Sequence, residues 1–550
     1  MNLVSKVRES VIGKDTAVET PFGVRRVTYA DYTASGRSLT FIEDYIREQV
    51  LPLYANTHTE TSGTGLQTTR FREEARSIIR ESVGASEEEH AVIFAGSGAT
   101  GAVDRLIGIL GIRLPANLID SFGLSGAIPS ERRPVVFVGP YEHHSNELPW
   151  RESIADVVEI DEDEDGQISL SDLETKLIEY AYRPLKIGSF SAASNVTGII
   201  SDTTAISTLL HQHGALSFYD FAAAAPYVSI RMGSAKESLD YKDAIFISPH
   251  KLIGGPGTPG VLVVRKDLLT NAVPAVPGGG TVQYVTKDHH LYIADPEHRE
   301  EGGTPAIIGA IRAGLAFKLK EEVGASVIRN LEHDFIERAI QSWETNPNID
   351  VLGNHDAERL SIVSFVVRAE DRVLHHNYVV ALLNDIFGIQ ARGGCSCAGP
   401  YGHRLLGIDV ETSARLEELI TSGCEVIKPG WVRLNFNYFI SEREFQYLLE
   451  AVHMIANEGW KLLPLYTFEA ATGIWRHRDG LPKPPMSLRE FDPFGPPGAP
   501  VTEPEWVLEK YLEEAKTIFD ETPSLGDGDP LLSEAAEELR WFPTPTEATR

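Results

Sequence analysis

The feature that most constrains this chain is an alternation between short apolar runs and longer stretches of helical period, sustained from about residue 20 to 320. AVIFA (91–95), PVVFVG (134–139), KIGSFS (186–191), LSFYDF (216–221), AIFIS (244–248) and GVLVV (260–264) have the length and β-branched content of buried strands. Between them, LQTTRFREEARSIIRESVG, LSDLETKLIEYAYR and TTAISTLLHQHG repeat apolar residues at helical spacing. Strand–helix alternation buries both faces of a mainly parallel sheet, so the fold class is α/β. Beyond about 320 the order changes to a helix, RLSIVSFVVR, another helix, a Gly- and Cys-containing loop, WVRLNFNYF and a last helix. That pattern predicts a second, smaller α+β domain. The expected layout is a large domain over 1–320, whose first segment packs on the small domain, the small domain over 321–465, and a linker and acidic tail over 466–550. Seven prolines fall in 481–500, and the last fifty residues hold 13 acidic and 4 basic side chains, net −9. Within that tail WVLEKYLEEAKTIFD has the pattern of an amphipathic helix, and the rest reads as flexible.

Composition excludes several functions. With 50 basic and 79 acidic residues the net charge is −29, which repels phosphate backbones and anionic membranes, so neither nucleic acid nor membrane is an expected partner. Three cysteines, at 395, 397 and 424, cannot form a disulfide framework and suit a reducing cytoplasm. The opening MNLVSKVRESVIGKDT lacks the apolar stretch of a secretory signal, and no run is long enough for a membrane-spanning helix.

Two motifs imitate other chemistries. Gly96-Ser-Gly98-Ala-Thr-Gly101 satisfies a dinucleotide fingerprint, with Asp120 at the spacing of a ribose-binding acid, but the segment around Asp120 does not read as a strand end. A phosphate-cradling loop at a helix start serves any phosphorylated cofactor. Asp161-Glu-Asp163-Glu-Asp165-Gly166 opens like a calcium loop, yet position twelve is Asp172 and a strand precedes it. Ser171 and Glu174 fit a capping box there instead. No metal site is expected, since the Cys-x-Cys pair lacks further ligands.

The strongest chemical signal is ISPHKLIGGPGTPGVLVV around Lys251. A Schiff-base lysine needs desolvation and a nearby positive group, and Lys251 stands among Ser248, His250 and glycines at a strand end. LSFYDF places Asp220 at the end of another strand, where a carboxylate can hold a pyridine nitrogen protonated. In order along the chain, YADYTASGR, SGATGAV, EHHSNELPW, ASNVTGI, YDFAAA, SPHK, GGG, EEGGTP and RGGCSCAGP make the sequence similar to the class V aminotransferase family of fold-type I pyridoxal-phosphate enzymes, and most to its cysteine desulfurase and selenocysteine lyase branch.

That resemblance implies pyridoxal 5′-phosphate as cofactor, with Lys251 as the Schiff-base lysine and Asp220 on the pyridine nitrogen. It implies His143 against the ring and in proton transfer, Asn195 on the phenolic oxygen, and Ala99, Thr100, Ser248 and His250 around the phosphate. Thr304 would reach the phosphate of a neighbouring subunit, hence a homodimer. Arg433 and Arg392 would hold the carboxylate of a small amino acid, and Cys397, five residues after Arg392, would be the nucleophile that takes sulfur from L-cysteine and passes it to a sulfur-acceptor protein. Cys395 would be an auxiliary or resolving thiol. The R-x-G-C-x-C string also resembles the desulfurase domain of molybdenum-cofactor sulfurases, but no second sulfur-delivery domain is recognisable. The family places Gln three residues after the Asp, where this chain has Ala223. Two alternatives follow from the same residues: amino transfer or epimerisation without sulfur, and a cofactor-free interaction protein using the acidic tail.

Overall fold

The computed structural model describes residues 2–57, 59–480, 486–495, 498, 500–521 and 528–548. Two compact units emerge. The first comprises Met1–Ile12, Thr33–Asn330 and Asp356–Leu360, and the second Gly13–Tyr32, Leu331–His355 and Ser361–Arg550.

The first unit is built on a seven-stranded sheet. Its strands are β1 (His90–Ala95), β2 (Val135–Val138), β3 (Asp156–Glu159), β4 (Lys186–Ser191), β5 (Leu216–Asp220), β6 (Ala244–Ile247) and β7 (Gly260–Arg265). They lie in the order β1-β7-β6-β5-β4-β2-β3. The pairs from β3 through β6 are parallel, and β7 runs antiparallel to both β6 and β1. All six apolar runs marked in the sequence are strands. Every residue of β1, β2 and β6 is buried, as expected of a sheet covered on both faces. One layer is Ile93, Val136, Phe218, Phe246 and Leu262 against Val103, Leu106 and Ile107 of helix α1 (Gly98–Leu110).

Asp120 and the acidic turn lie as the sequence reads them, and the cap of the helix that follows is corrected. Asp120 lies in a helix, Ala116–Phe122, so no strand end presents it to a ribose. The acidic turn after β3 is closed by Asp163, whose carboxylate accepts the N–H groups of Asp165 and Gln167 at 3.0 and 2.9 Å. Helix α2 (Leu170–Glu179) is capped by Ser169, which accepts from Asp172 N–H at 3.2 Å, rather than by Ser171. Both serines have the right chemistry, and only Ser169 occupies the extended residue before the first turn.

In the second unit, β8 (Ile349–Val351), β9 (Ile362–Ala369), β10 (Arg392–Gly394) and β11 (Trp431–Asn435) pair antiparallel in the order β8-β9-β11-β10. Helices α3 (His376–Phe387), α4 (Glu442–Glu458) and α5 (Val507–Asp520) share their core, among Phe365, Leu383, Leu434, Leu448 and Tyr511. The segment after 500 is therefore no loose tail: Leu508, Phe519 and Phe542 are buried there. Trp541 stacks on His375 at 5.2 Å and donates its indole N–H to Ile427 O at 2.9 Å. Acidic composition hid this because most of the charges are exposed or half-exposed while Tyr511, Phe519 and Phe542 are buried. Of the stretches expected to be extended or flexible, 481–485, 496–497, 499, 522–527 and 549–550 lie outside the described residues. No helix among the described residues is long and apolar enough to cross a membrane.

Candidate active site

In the first unit, the turn from β1 into α1 forms a cradle. Gly98 has φ +57°, and a Cβ on it would stand 2.8 Å from Ser248 Oγ and 2.9 Å from the His250 ring. Only glycine lets the backbone approach that closely. Ser97, the residue before the helix, makes no side-chain cap hydrogen bond. The hydroxyl of Ser248 instead accepts from Ala99 N–H at 2.8 Å. Thr100 is exposed, and its Oγ1 shares a 2.6 Å hydrogen bond with Ser145 Oγ. Helix-start N–H groups, three hydroxyls and an imidazole converge here, a donor set suited to an anion. Burial, aided by the charge of Lys251, pulls the His250 pKa down to about 4, so the ring is neutral at pH 7.

Lys251 follows directly, at the end of the turn Pro249–Lys251 after β6. A second glycine sets its surroundings: Gly36 N–H donates to His250 O at 2.8 Å, and a Cβ there would collide with Leu252 O. Asp220, the last residue of β5, is buried and accepts Ala222 N–H at 2.7 Å. Burial pushes its pKa up, opposed by that hydrogen bond and by the positive charge of Lys251. Ala223 adds only an apolar methyl to the buried turn behind Asp220.

A third part comes from the loop after β2. Glu142 is buried and accepts four hydrogen bonds, from Gly139 N–H (3.2 Å), Ser191 N–H (2.8 Å), Ser191 Oγ (2.7 Å) and Asn146 Nδ2 (2.7 Å). Desolvation nevertheless raises its pKa to about 7, with the neighbouring Asp220 charge adding to the rise. Asn146 in turn accepts from Ser189 Oγ at 2.7 Å and lies 3.4 Å from Trp150 Nε1. This network ties the ends of β2 and β4 together and holds His143, whose Nδ1 accepts Ser145 N–H at 3.1 Å. That bond places the proton of a neutral His143 ring on Nε2. Asn195 is buried in the turn closed by Ser194 N–H to Ile199 O at 2.8 Å. Thr304 sits exposed in the loop ahead of helix Ile307–Val323.

In the second unit, Arg392 and Arg433 are directly opposed on β10 and β11. Like charges in that register repel. Asp31 relieves the repulsion, accepting from Arg392 Nε at 3.1 Å and from Arg433 at 3.2 Å. Arg433 is 5% exposed and Arg392 53%. The strand leads into a turn in which Ala398 N–H donates to Cys395 O at 3.1 Å. Its central residues, Ser396 and Cys397, have φ of 53° and 58°. For non-glycine residues this left-handed backbone costs about 1–2 kcal/mol each. Cys397 is exposed and Cys395 half-buried.

Within the first unit Ala99, Thr100, Ser248, His250, Lys251 and Asp220 gather at neighbouring strand ends, with His143 on the adjoining loop. Within the second, Arg392, Arg433 and the cysteine turn are joined through one strand pair. Sequence reasoning missed Asp31, Glu142 and Ser145 as members of these sites. Asp31 and Glu142 were inside quoted motifs, but their partners lie hundreds or tens of residues away.

The aminotransferase class-V family model matches residues 28–416. A protein of Halalkalibacterium halodurans named probable cysteine desulfurase is 29% identical over 397 residues, 71% of this chain and 87% of its own length. A Staphylococcus aureus protein of the same name is 27% identical over 399 residues, 71% of this chain and 87% of its own. Among solved structures, an apo cysteine desulfurase from Thermococcus onnurineus superposes with a TM-score of 0.65 at 24% identity, covering 83% of this chain and 99% of that one. The Escherichia coli cysteine desulfurase CsdA gives 0.59 at 20% identity, covering 78% and 94%. With the family model spanning well over half of its length, the chain belongs to the aminotransferase class-V family of pyridoxal-phosphate enzymes.

Proposed function

We propose that the protein is a pyridoxal-phosphate-dependent cysteine desulfurase, converting L-cysteine to L-alanine through a persulfide on Cys397. What carries this reading is the exposed Cys397 on a turn five residues after Arg392, in a chain whose Lys251 and Asp220 already interact electrostatically. The cradle at Gly98, which a single Cβ would fill, and the buried carboxylate beside Lys251 fit pyridoxal 5′-phosphate. When bound, the cofactor supplies an electron sink for charge developing at the substrate Cα.

Ala99, Thr100, Ser248 and His250 would hold its phosphate, Asp220 its ring nitrogen, Asn195 its phenolic oxygen and His143 its ring face. Ala223 offers the phenolic oxygen no hydrogen bond. Thr304 would complete the phosphate site of a second subunit in a homodimer. Lys251 would anchor the cofactor and serve as the base for the Cα proton; the neutral His250 beside it adds no competing positive charge at pH 7. Arg433, already oriented by Asp31, offers a guanidinium fork to a substrate carboxylate, and Arg392 a second. The Cys397 thiolate attacks the substrate sulfur, the Cβ–S bond breaks, and protonation of the remaining carbon framework yields alanine. The persulfide left on Cys397 is the form a sulfur-acceptor protein would collect. Three free cysteines suit a reducing cytoplasm for such chemistry.

Reconstitution of the Lys251→Ala variant with pyridoxal phosphate tests the lysine assignment. It should lack the visible absorbance of the lysine-bound cofactor; a spectrum like that of the wild type would sink the assignment.

A further inference from the structure

The cysteine turn holds two thiols. Cys395 and Cys397 occupy the first and third positions of a hydrogen-bonded turn, closed by Ala398 N–H to Cys395 O at 3.1 Å. Both of its central residues are left-handed, the geometry of a type I′ turn. Ser and Cys rarely adopt that conformation unless the chain on either side dictates it. Here both flanks are fixed on Trp431. Upstream, Gly394 is paired with Trp431 in the strand ladder. Downstream, Ala398 is fully buried, and Gly402 lies so close to the Trp431 ring that a Cβ would stand 2.9 Å from it. The two cysteines are thus carried on one anchored turn, Cys397 exposed and Cys395 half-buried.

Two virtual bonds of about 3.8 Å, bent into a turn, separate the Cα atoms by roughly 5–6 Å. Disulfides form at Cα separations of about 4.4–6.8 Å, and one closing so small a ring is strained and easily reduced. We propose that Cys395 is a resolving thiol that discharges the Cys397 persulfide as free hydrosulfide.

The step rests on the desulfurase reading for its sulfur. Cys395 thiolate attacks Cys397 Sγ, the Sγ–Sγ bond forms, and the bond from Cys397 Sγ to the outer sulfur breaks with both electrons leaving on that sulfur as HS⁻. The sulfane sulfur is reduced to sulfide and the two thiols are oxidised to a disulfide. An external dithiol reductant restores both thiols for the next cycle. The enzyme then needs no acceptor protein to release sulfur, and it stops after one turnover when reductant is absent.

The test uses full-length, cofactor-loaded wild type and Cys395→Ser, freed of reductant, with Cys424→Ser as control. Burial raises the Cys424 thiol pKa, and that residue lies outside the turn. Each protein receives one equivalent of L-cysteine per chain and is quenched in acid for peptide mass analysis. Parallel samples receive inorganic polysulfide, which loads Cys397 without turnover. Wild type and Cys424→Ser should lose two hydrogens from the Cys395–Cys397 peptide in both arms and release one sulfide per alanine in the first. Cys395→Ser should form alanine equally but keep an extra sulfur on Cys397 and release no sulfide. An extra sulfur retained on wild type, or sulfide release by Cys395→Ser at the wild-type level, overturns the proposal. Absence of alanine throughout, with the disulfide still formed from polysulfide, overturns the desulfurase reading and leaves the resolving step standing.

Discussion

Replacing Glu142 by Gln removes a buried titration whose size follows from its surroundings. Desolvation lifts this carboxyl from an ordinary 4.5 to about 7, despite four hydrogen bonds to the ionised form. The folded protein therefore keeps a proton that the unfolded chain has lost. The stability this confers is full below about pH 4.5 and disappears as pH rises through 7. At about 1.4 kcal/mol per pH unit, the interval amounts to about 3 kcal/mol. Gln cannot reproduce the site, because its amide would face the donor Asn146 Nδ2, and the lost acceptor costs about 1–3 kcal/mol at every pH. Wild type should thus exceed Glu142→Gln in stability most at pH 4.5, and the gap should shrink by about 3 kcal/mol by pH 8. Urea unfolding of the two cofactor-free proteins across that range measures the gap, read at the transition that the substitution shifts. Infrared difference spectra should show a protonated-carboxyl band in wild type at pH 5 that the variant lacks. A gap that stays constant or widens with pH would refute the assignment of a raised pKa to Glu142, and with it the view that a neutral carboxyl ties the ends of β2 and β4 together.

Two further outcomes follow from packing. Gly98→Ala should weaken pyridoxal phosphate uptake at least about tenfold while the far-ultraviolet spectrum stays native, because its Cβ would press on Ser248 Oγ and His250 at a left-handed φ; an unchanged spectral titration would remove Gly98 from the cradle. Phe542→Ala should cost about 3–5 kcal/mol in urea unfolding, since the ring is fully buried against Trp475 and His375; an effect under about 1 kcal/mol would mean that the terminal segment contributes little to the second unit.

Local signals were legible and distant pairings were not. Six of the seven strands of the first unit's main sheet announced themselves because each is a largely apolar, largely buried run, whereas the edge strand Asp156–Glu159 is only half-buried, and Lys251, Ser248 and His250 are adjacent in sequence as well as in space. The cap of α2 was misplaced by two residues because Ser169 and Ser171 differ only in backbone conformation, which composition does not encode. Asp31 was invisible as the bridge between Arg392 and Arg433, since the three meet only once β10 and β11 are paired. Glu142 read as a neighbour of His143, yet its four donors come partly from β4, some fifty positions on. The helix Val507–Asp520 was seen, but not that it belongs to the core of the second unit, because its burial depends on partners such as Arg25, whose guanidinium stacks 4.7 Å from the Tyr511 ring.

The central claim, that Cys397 takes sulfur from L-cysteine on a pyridoxal-phosphate scaffold, is tested most directly by incubating cofactor-loaded protein with L-cysteine and excess dithiol reductant and measuring alanine and sulfide together. Equal amounts of both from wild type, and neither above background from a Cys397→Ala variant that retains the cofactor absorbance, is the predicted result. Alanine and sulfide at the wild-type rate from Cys397→Ala, or neither product from wild type with an intact cofactor spectrum, would contradict it.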